Sequence, residues 1–169
     1  QLIHRIVDQL LDNIAELDEI DMVADFGMVL PTEIISFMLG IPDEYRRKLR
    51  SYSISILGAL DPVVSDQGMQ EGNQAVSEFS EILNDLINHR RIHPDGALQG
   101  EVLESLIFGD HEGRVLTQDE LVQNCIFILN AGHETTTSLV SNSVGLFLNN
   151  PAQYRLLVED PDLITTAVE

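Results

Sequence analysis

The sequence predicts a mainly α fold, with no substantial sheet, organised around one long central helix over about 117–149. Three observations carry this. Apolar residues recur every three or four positions along most of the 169 residues. Proline and glycine sit at the ends of these stripes, where they start or stop helices rather than break them. No segment alternates apolar with polar residues for long enough to form a convincing strand, and no internal repeat or low-complexity tract is present.

Leu2, Ile3, Ile6, Val7, Leu10, Leu11, Ile14 and Leu17 draw one apolar stripe on a first helix. The acidic stretch from Asp18 to Asp21 interrupts it. A short segment from about Met22 to Leu30 leads to Pro31, which suits a helix's first turn, and that helix runs to Leu39. Gly40 supplies the stop and Pro42 prevents continuation. A further helix is expected from Asp43 to Leu60, ended by Asp61-Pro62, with Val63 to Gly68 as a loop. Val76, Phe79, Leu83, Leu86 and Ile87 mark an amphipathic helix from about Met69 to Arg91. His89, Arg90, Arg91 and His93 crowd its C-terminal end, where positive charge suits the helix dipole.

Pro94 to Gly100 reads as a turn-rich connector, Val102 to Phe108 as a short helix, and Gly109-Asp110-His111-Glu112-Gly113 as a turn. Thr117-Gln118-Asp119-Glu120 has the pattern of a capping box. No proline follows until Pro151, so the helix it opens reaches about Asn149, a length on the order of 50 Å. Asn150-Pro151 and Asp160-Pro161 each suit the cap and first position of another helix. The chain begins on a helical stripe at Gln1 and stops at Glu169 inside an unfinished helix. Residues 1–169 are therefore expected to be a single helical segment of a larger domain, truncated at both ends.

Nine Lys+Arg against 28 Asp+Glu give a formal charge of −19. A surface that acidic repels phosphate backbones and anionic lipid, which argues against nucleic acid and membrane partners. No stretch approaches the about 18 consecutive apolar residues needed to span a bilayer. The one cysteine, Cys125, cannot form an internal disulfide, and the chain fits a reducing, cytoplasmic location.

Inside the long helix the apolar run Cys125-Ile126-Phe127-Ile128-Leu129 gives way to Asn130-Ala131-Gly132-His133-Glu134-Thr135-Thr136-Thr137-Ser138. Such a polar run in mid-core is costly, since each buried unpaired polar group costs about 1–3 kcal/mol. Ala131 and Thr135 lie four apart on one face, where the Thr135 hydroxyl can bond the Ala131 carbonyl and loosen the ladder. Ala131 and Gly132 add almost no bulk, so a large flat molecule can approach, and Glu134 beside them can exchange protons through water. The same residues also fit the solvated face of a surface helix. A zinc-protease motif of the His-Glu-x-x-His type is excluded, because Thr137 stands four after His133.

Ala131-Gly132-His133-Glu134-Thr135-Thr136 resembles the oxygen-binding signature of the cytochrome P-450 superfamily, Ala/Gly-Gly-x-Asp/Glu-Thr-Thr/Ser. Asp110 to Thr117, followed by Glu120-Leu121, is similar to that family's approach to its long distal helix. Asn150-Pro151 with Tyr154, Leu157 and Asp160-Pro161 resembles the helix after it. Leu30-Pro31-Thr32-Glu33-Ile34-Ile35 and Leu39-Gly40-Ile41-Pro42 resemble the soluble bacterial branch, so the likeness runs in order over the whole chain.

The resemblance implies a b-type haem monooxygenase that inserts one atom of dioxygen into a small organic substrate. Electrons would come from NAD(P)H through a ferredoxin or flavodoxin-type redox partner. By the same resemblance Thr135 and Glu134 are catalytic, Thr135 steadying the reacting oxygen and Glu134 relaying protons. Ala131 and Gly132 would let the haem come close, with Thr136 beside them. Phe127, Ile128 and Asn130 would line the haem or substrate side one turn earlier, and Asp43 to Arg91 would lid the pocket. The family's haem-ligating cysteine loop, Phe-x-x-Gly-x-x-x-Cys-x-Gly, is not in these residues, and Cys125 lacks its glycine-rich setting. The isolated segment is therefore expected to be inactive and to self-associate through exposed apolar faces. The alternative from another class is an acidic all-helical ligand-binding or interaction domain without catalysis.

Overall fold

The computed structural model describes residues 2–94, 99–109 and 115–168. Among them there is no strand. The elements are α1 (Leu2–Ala15), a π-helix (Met22–Gly27), α2 (Val29–Leu39), α3 (Asp43–Gly58), α4 (Asp66–Ile92), α5 (Glu101–Phe108), α6 (Gln118–Asn149), α7 (Pro151–Glu159), a 3-10 turn (Pro161–Leu163) and α8 (Ile164–Val168). The turn expected at Asp110 to Gly113, and much of the connector before Gly100, lie outside the described residues.

Local chemistry accounts for most boundaries. Thr117 and Glu120 form the expected capping box at the start of α6. Gly40 closes α2 in the left-handed region at φ 68°, which costs glycine nothing. Ser65 accepts from the Gly68 amide and starts α4 three residues earlier than expected, inside what the sequence presents as loop. The acidic break before Met22 caps an element: Asp21 accepts from the Val23 and Ala24 amides, while Asp25 accepts from the Asp21 amide at 2.8 Å. The capped segment is a π-helix instead of irregular chain.

The main core is an apolar cluster in which α6 is the common wall. Leu121, Val122, Cys125, Ile126 and Leu129 of α6 meet Ile35 and Leu39 of α2, Leu49, Tyr52 and Ile56 of α3, and Phe79, Leu83 and Ile87 of α4. The Tyr52 and Phe79 rings stack at 5.7 Å between α3 and α4. A smaller cluster of Leu10, Phe26 and Leu30 seats α1 against the π-helix and α2. Met22–Leu39 is apolar enough by composition to cross a bilayer, at mean hydropathy 1.5. Here Leu30, Ile35 and Leu39 spend that apolar surface on the core, and Asp25 and Glu33 interrupt the run.

Arg90 does more than complement the α4 dipole. It is buried, donating from Nη1 to Glu104 Oε1 at 3.2 Å and from Nη2 to the Gln99 carbonyl at 3.1 Å. Gly40 and Gly100, both at positive φ, lie against its guanidinium, and a Cβ at Gly100 would fall 3.0 Å from Nη2. The Gly100 amide donates to the Phe37 carbonyl at 2.8 Å, completing a tie between α2, α4 and α5. Removing one partner of a buried pair leaves the other charge uncompensated. In the full-length protein, Arg90→Met is expected to lower stability by about 3 kcal/mol. Gly100→Ala should cost about 1–2 kcal/mol through its φ alone; urea midpoints measure both.

Candidate functional site

Helix α6 has two faces with different duties. Leu121, Val122, Cys125, Ile126, Leu129, His133 and Thr137 are buried at helical spacing. On the open side lie Phe127, 69% exposed, then Ala131 and Thr135, each four residues on and also exposed. Thr135 Oγ1 donates to the Ala131 carbonyl at 2.6 Å, the bond the spacing predicts. The ladder does not open, however, and α6 is α-helical throughout. Thr137 and Ser143 fold back in the same way, onto the His133 and Leu139 carbonyls. The Thr135 proton is therefore held by Ala131, while the oxygen's lone pairs remain available on the open face.

The other residues singled out by sequence are dispersed around the helix. Gly132 turns toward α2, where a Cβ would lie 3.0 Å from Ile35 Cδ1. Its missing side chain serves helix packing, and the bare surface on the open face belongs to Ala131. Ile128 packs against the core and Thr136 is half-buried. Asn130 cross-links two helices: its Oδ1 accepts from Ser53 Oγ of α3 at 3.2 Å and its Nδ2 donates to the Ile126 carbonyl at 3.0 Å. Both ends of that amide are engaged.

Glu134 is exposed and sits about 100° round the helix from Thr135. It borders a cavity of about 630 Å³ between the last turn of α3, the π-helix and α6. His133 forms part of that cavity's floor at 2% exposure. Burial and the nearby Arg50 charge push its imidazole below the ordinary value, while the Met28 carbonyl and Glu134 pull the other way. Sequence reasoning weighs His133 only as a zinc ligand. Its place in the 129–133–137 seam is the signal that it faces inward.

Cys125 is fully buried in the core cluster, and burial pushes its thiol up to about 12. Among the described residues no group of three or more His, Cys, Asp or Glu is placed to hold a metal ion.

A long helix with a bare residue and an alcohol on its open face, and an acid one step round, stands where the sequence resemblance expects it. The cytochrome P-450 family profile matches residues 3–164, and the chain belongs to that family. It is 34% identical to the biotin biosynthesis cytochrome P-450 of Bacillus subtilis (strain 168), over 96% of this chain and 40% of that protein. It is 35% identical to the vitamin D(3) 25-hydroxylase of Pseudonocardia autotrophica, over 99% of this chain and 39% of that one. Among solved structures it resembles P-450 BioI in complex with an acyl carrier protein ligated to hexadec-9Z-enoic acid. There the TM-score is 0.87 and identity 34%, covering 99% of this chain and 42% of that one. A Bacillus megaterium cytochrome P-450 in complex with testosterone gives a TM-score of 0.82 at 30% identity, covering 98% of this chain and 43% of that one. The chain thus spans about 40% of the length of the relatives it matches. The non-catalytic alternative is not favoured.

Because the folded protein binds a proton at His133 less readily than the unfolded chain does, its contribution is full above the ordinary value of 6.5 and is lost as pH falls below it. The urea midpoint of the full-length protein is expected to fall between about pH 7.5 and about pH 5.5. In His133→Gln that share of the slope should vanish.

Proposed function

We propose that this chain is the distal, helical part of a haem-thiolate monooxygenase that activates dioxygen and hydroxylates a small organic substrate. The observation that carries the proposal is the line Phe127–Ala131–Thr135 on the open face of α6, with Glu134 one step round the helix. These residues fit a flat apolar macrocycle: an uncovered aromatic ring, then a bare methyl, then a hydroxyl. Phe127 and Ala131 would hold the haem and one side of the substrate, with Thr135 at its edge. When bound, the haem supplies the redox centre at which dioxygen is reduced and one of its atoms is transferred.

The chain's own residues supply proton control. Thr135 Oγ1, steadied by the Ala131 carbonyl, presents a hydroxyl that accepts a proton on one side and passes one on at the other. Glu134 recharges it from water. Cys125 stays a neutral core side chain, so the thiolate comes from elsewhere in the longer protein. Electrons come from NAD(P)H through a ferredoxin or flavodoxin-type partner. The steroid and the carrier-bound fatty acid in the similar structures support an apolar substrate class. Outside that context, the 169 residues do not turn over. Their uncovered Leu146, Leu148, Tyr154 and Val158 drive self-association, seen as a sedimentation coefficient that rises with concentration.

An absorption spectrum of the full-length protein, reduced and exposed to carbon monoxide, tests the reading directly; a spectrum without the thiolate-ligated band overturns it. In that protein Thr135→Ala is expected to keep consuming oxygen while product per oxygen falls about tenfold or more. Glu134→Gln should slow turnover and enlarge the solvent deuterium isotope effect. Unchanged coupling in the first variant removes Thr135 from the mechanism.

A further inference from the structure

We propose that His89 and His93, at the C-terminal end of α4, form a two-histidine clip for a divalent transition cation, zinc above all, that staples the last turn of the helix around Arg90. The clip does not rest on the function proposed above.

α4 ends at His93, its C-cap, whose amide donates to the His89 carbonyl at 2.9 Å. That bond is the closing rung of the helix, and it holds the two residues one turn apart on one face. Both side chains are exposed. Their rings lie 5.1 Å apart, centre to centre, and are tilted by 49° rather than stacked. With zinc–nitrogen bonds of about 2.0–2.1 Å and a ring centre about 1.1 Å behind each nitrogen, two imidazoles at the tetrahedral angle have centres about 5.2 Å apart. The pair therefore has the spacing of half a tetrahedral site before any metal arrives, and little side-chain ordering is left to oppose binding. Among the described residues neither imidazole makes a hydrogen bond or an ion pair, so each neutral ring keeps a lone pair for a metal.

The surroundings favour a cation. The last carbonyls of α4 carry the negative end of the helix dipole. Asp85 stands one turn before His89 on the same face, and both line a cavity of about 350 Å³ between the start of α3 and the end of α4. A carboxylate there can accept from a metal-bound water. Of the neighbouring cations, Arg90 is buried against Glu104, and Arg91 donates from Nη1 to Gln118 Oε1 at 2.6 Å. The formal charge of −19 concentrates cations at the surface in general, and imidazole selects zinc, copper or nickel over magnesium and calcium. Two protein ligands fall short of the four of a permanent structural site, so water completes the shell and binding is reversible. A bound ion cross-links the turn that carries Arg90, and through Arg90 it steadies the tie to Glu104 of α5 and the Gln99 carbonyl.

The test uses the full-length protein and zinc ion alone. Calorimetry is expected to show a zinc site that His89→Ala and His93→Ala each weaken about tenfold or more, since either change breaks the chelate. His4→Ala, which removes an exposed histidine of α1, should leave that site unchanged. Hydrogen exchange at the His93 amide should slow about tenfold with zinc and stay the same with magnesium. A crystal soaked in zinc should show anomalous density between the two rings. Zinc binding that is absent, or that survives both single variants unchanged, overturns the clip; so does a His93 amide whose exchange ignores zinc.

Discussion

Everything else in this structure depends on how α6 is divided lengthwise. Burying Leu121, Cys125, Leu129, His133 and Thr137 in one seam fixes the rotation of the helix about its axis, and nothing on the opposite side can then choose its direction. Phe127, Ala131 and Thr135 are presented outward because the core has claimed the other face. The capping box sets where the helix begins, and 32 residues without a break carry that rotation past every neighbour. A slip of one residue would carry Thr135 off the open face and put Ile126 or Ile128 where Phe127 stands.

Small residues and polar ties make that rotation sharp. Gly132 allows Ile35 of α2 to close on the helix backbone, and Gly27 does the same for the π-helix beside Ser141. Asn130 joins α3 through Ser53. These contacts come from three directions, so they resist both rotation and sliding of α6. Glycine in a helix interior costs about 0.8–1.0 kcal/mol relative to alanine. At Gly132 an added Cβ would meet Ile35 instead, so here the small residue sustains the packing that sets the open face.

The helices themselves were legible because their signals are local. Proline, glycine and capping residues mark boundaries within a few positions, and the 3.6 period marks the buried stripe without any partner being known. The Thr135–Ala131 bond was legible for the same reason, being a contact between residues four apart. What stayed hidden depends on distant chain. The π-helix needs Gly27 seated on α6, and nothing in Met22–Gly27 alone announces it. Arg90 reads as a dipole partner until Glu104 and the Gln99 carbonyl arrive from beyond the next connector. Gly132 reads as part of a groove beside Ala131, yet adjacent helical residues diverge by about 100°, and only the position of Ile35 tells which of the two faces the core.

That same divergence explains why acid and alcohol stand next to each other in the sequence. Placed four apart, Glu134 and Thr135 would share one face and one environment. As neighbours they look into different spaces, Glu134 toward the cavity under α3 and Thr135 toward the open face that the core leaves free. The helix is then a partition with one group on each side, close enough through the backbone to stay in fixed relation. Water reaching the acid need not reach the alcohol, which matters wherever a reaction tolerates protons but not bulk solvent. His133 and Thr137, almost wholly buried in the core seam, lie on the same helix between these two outlooks.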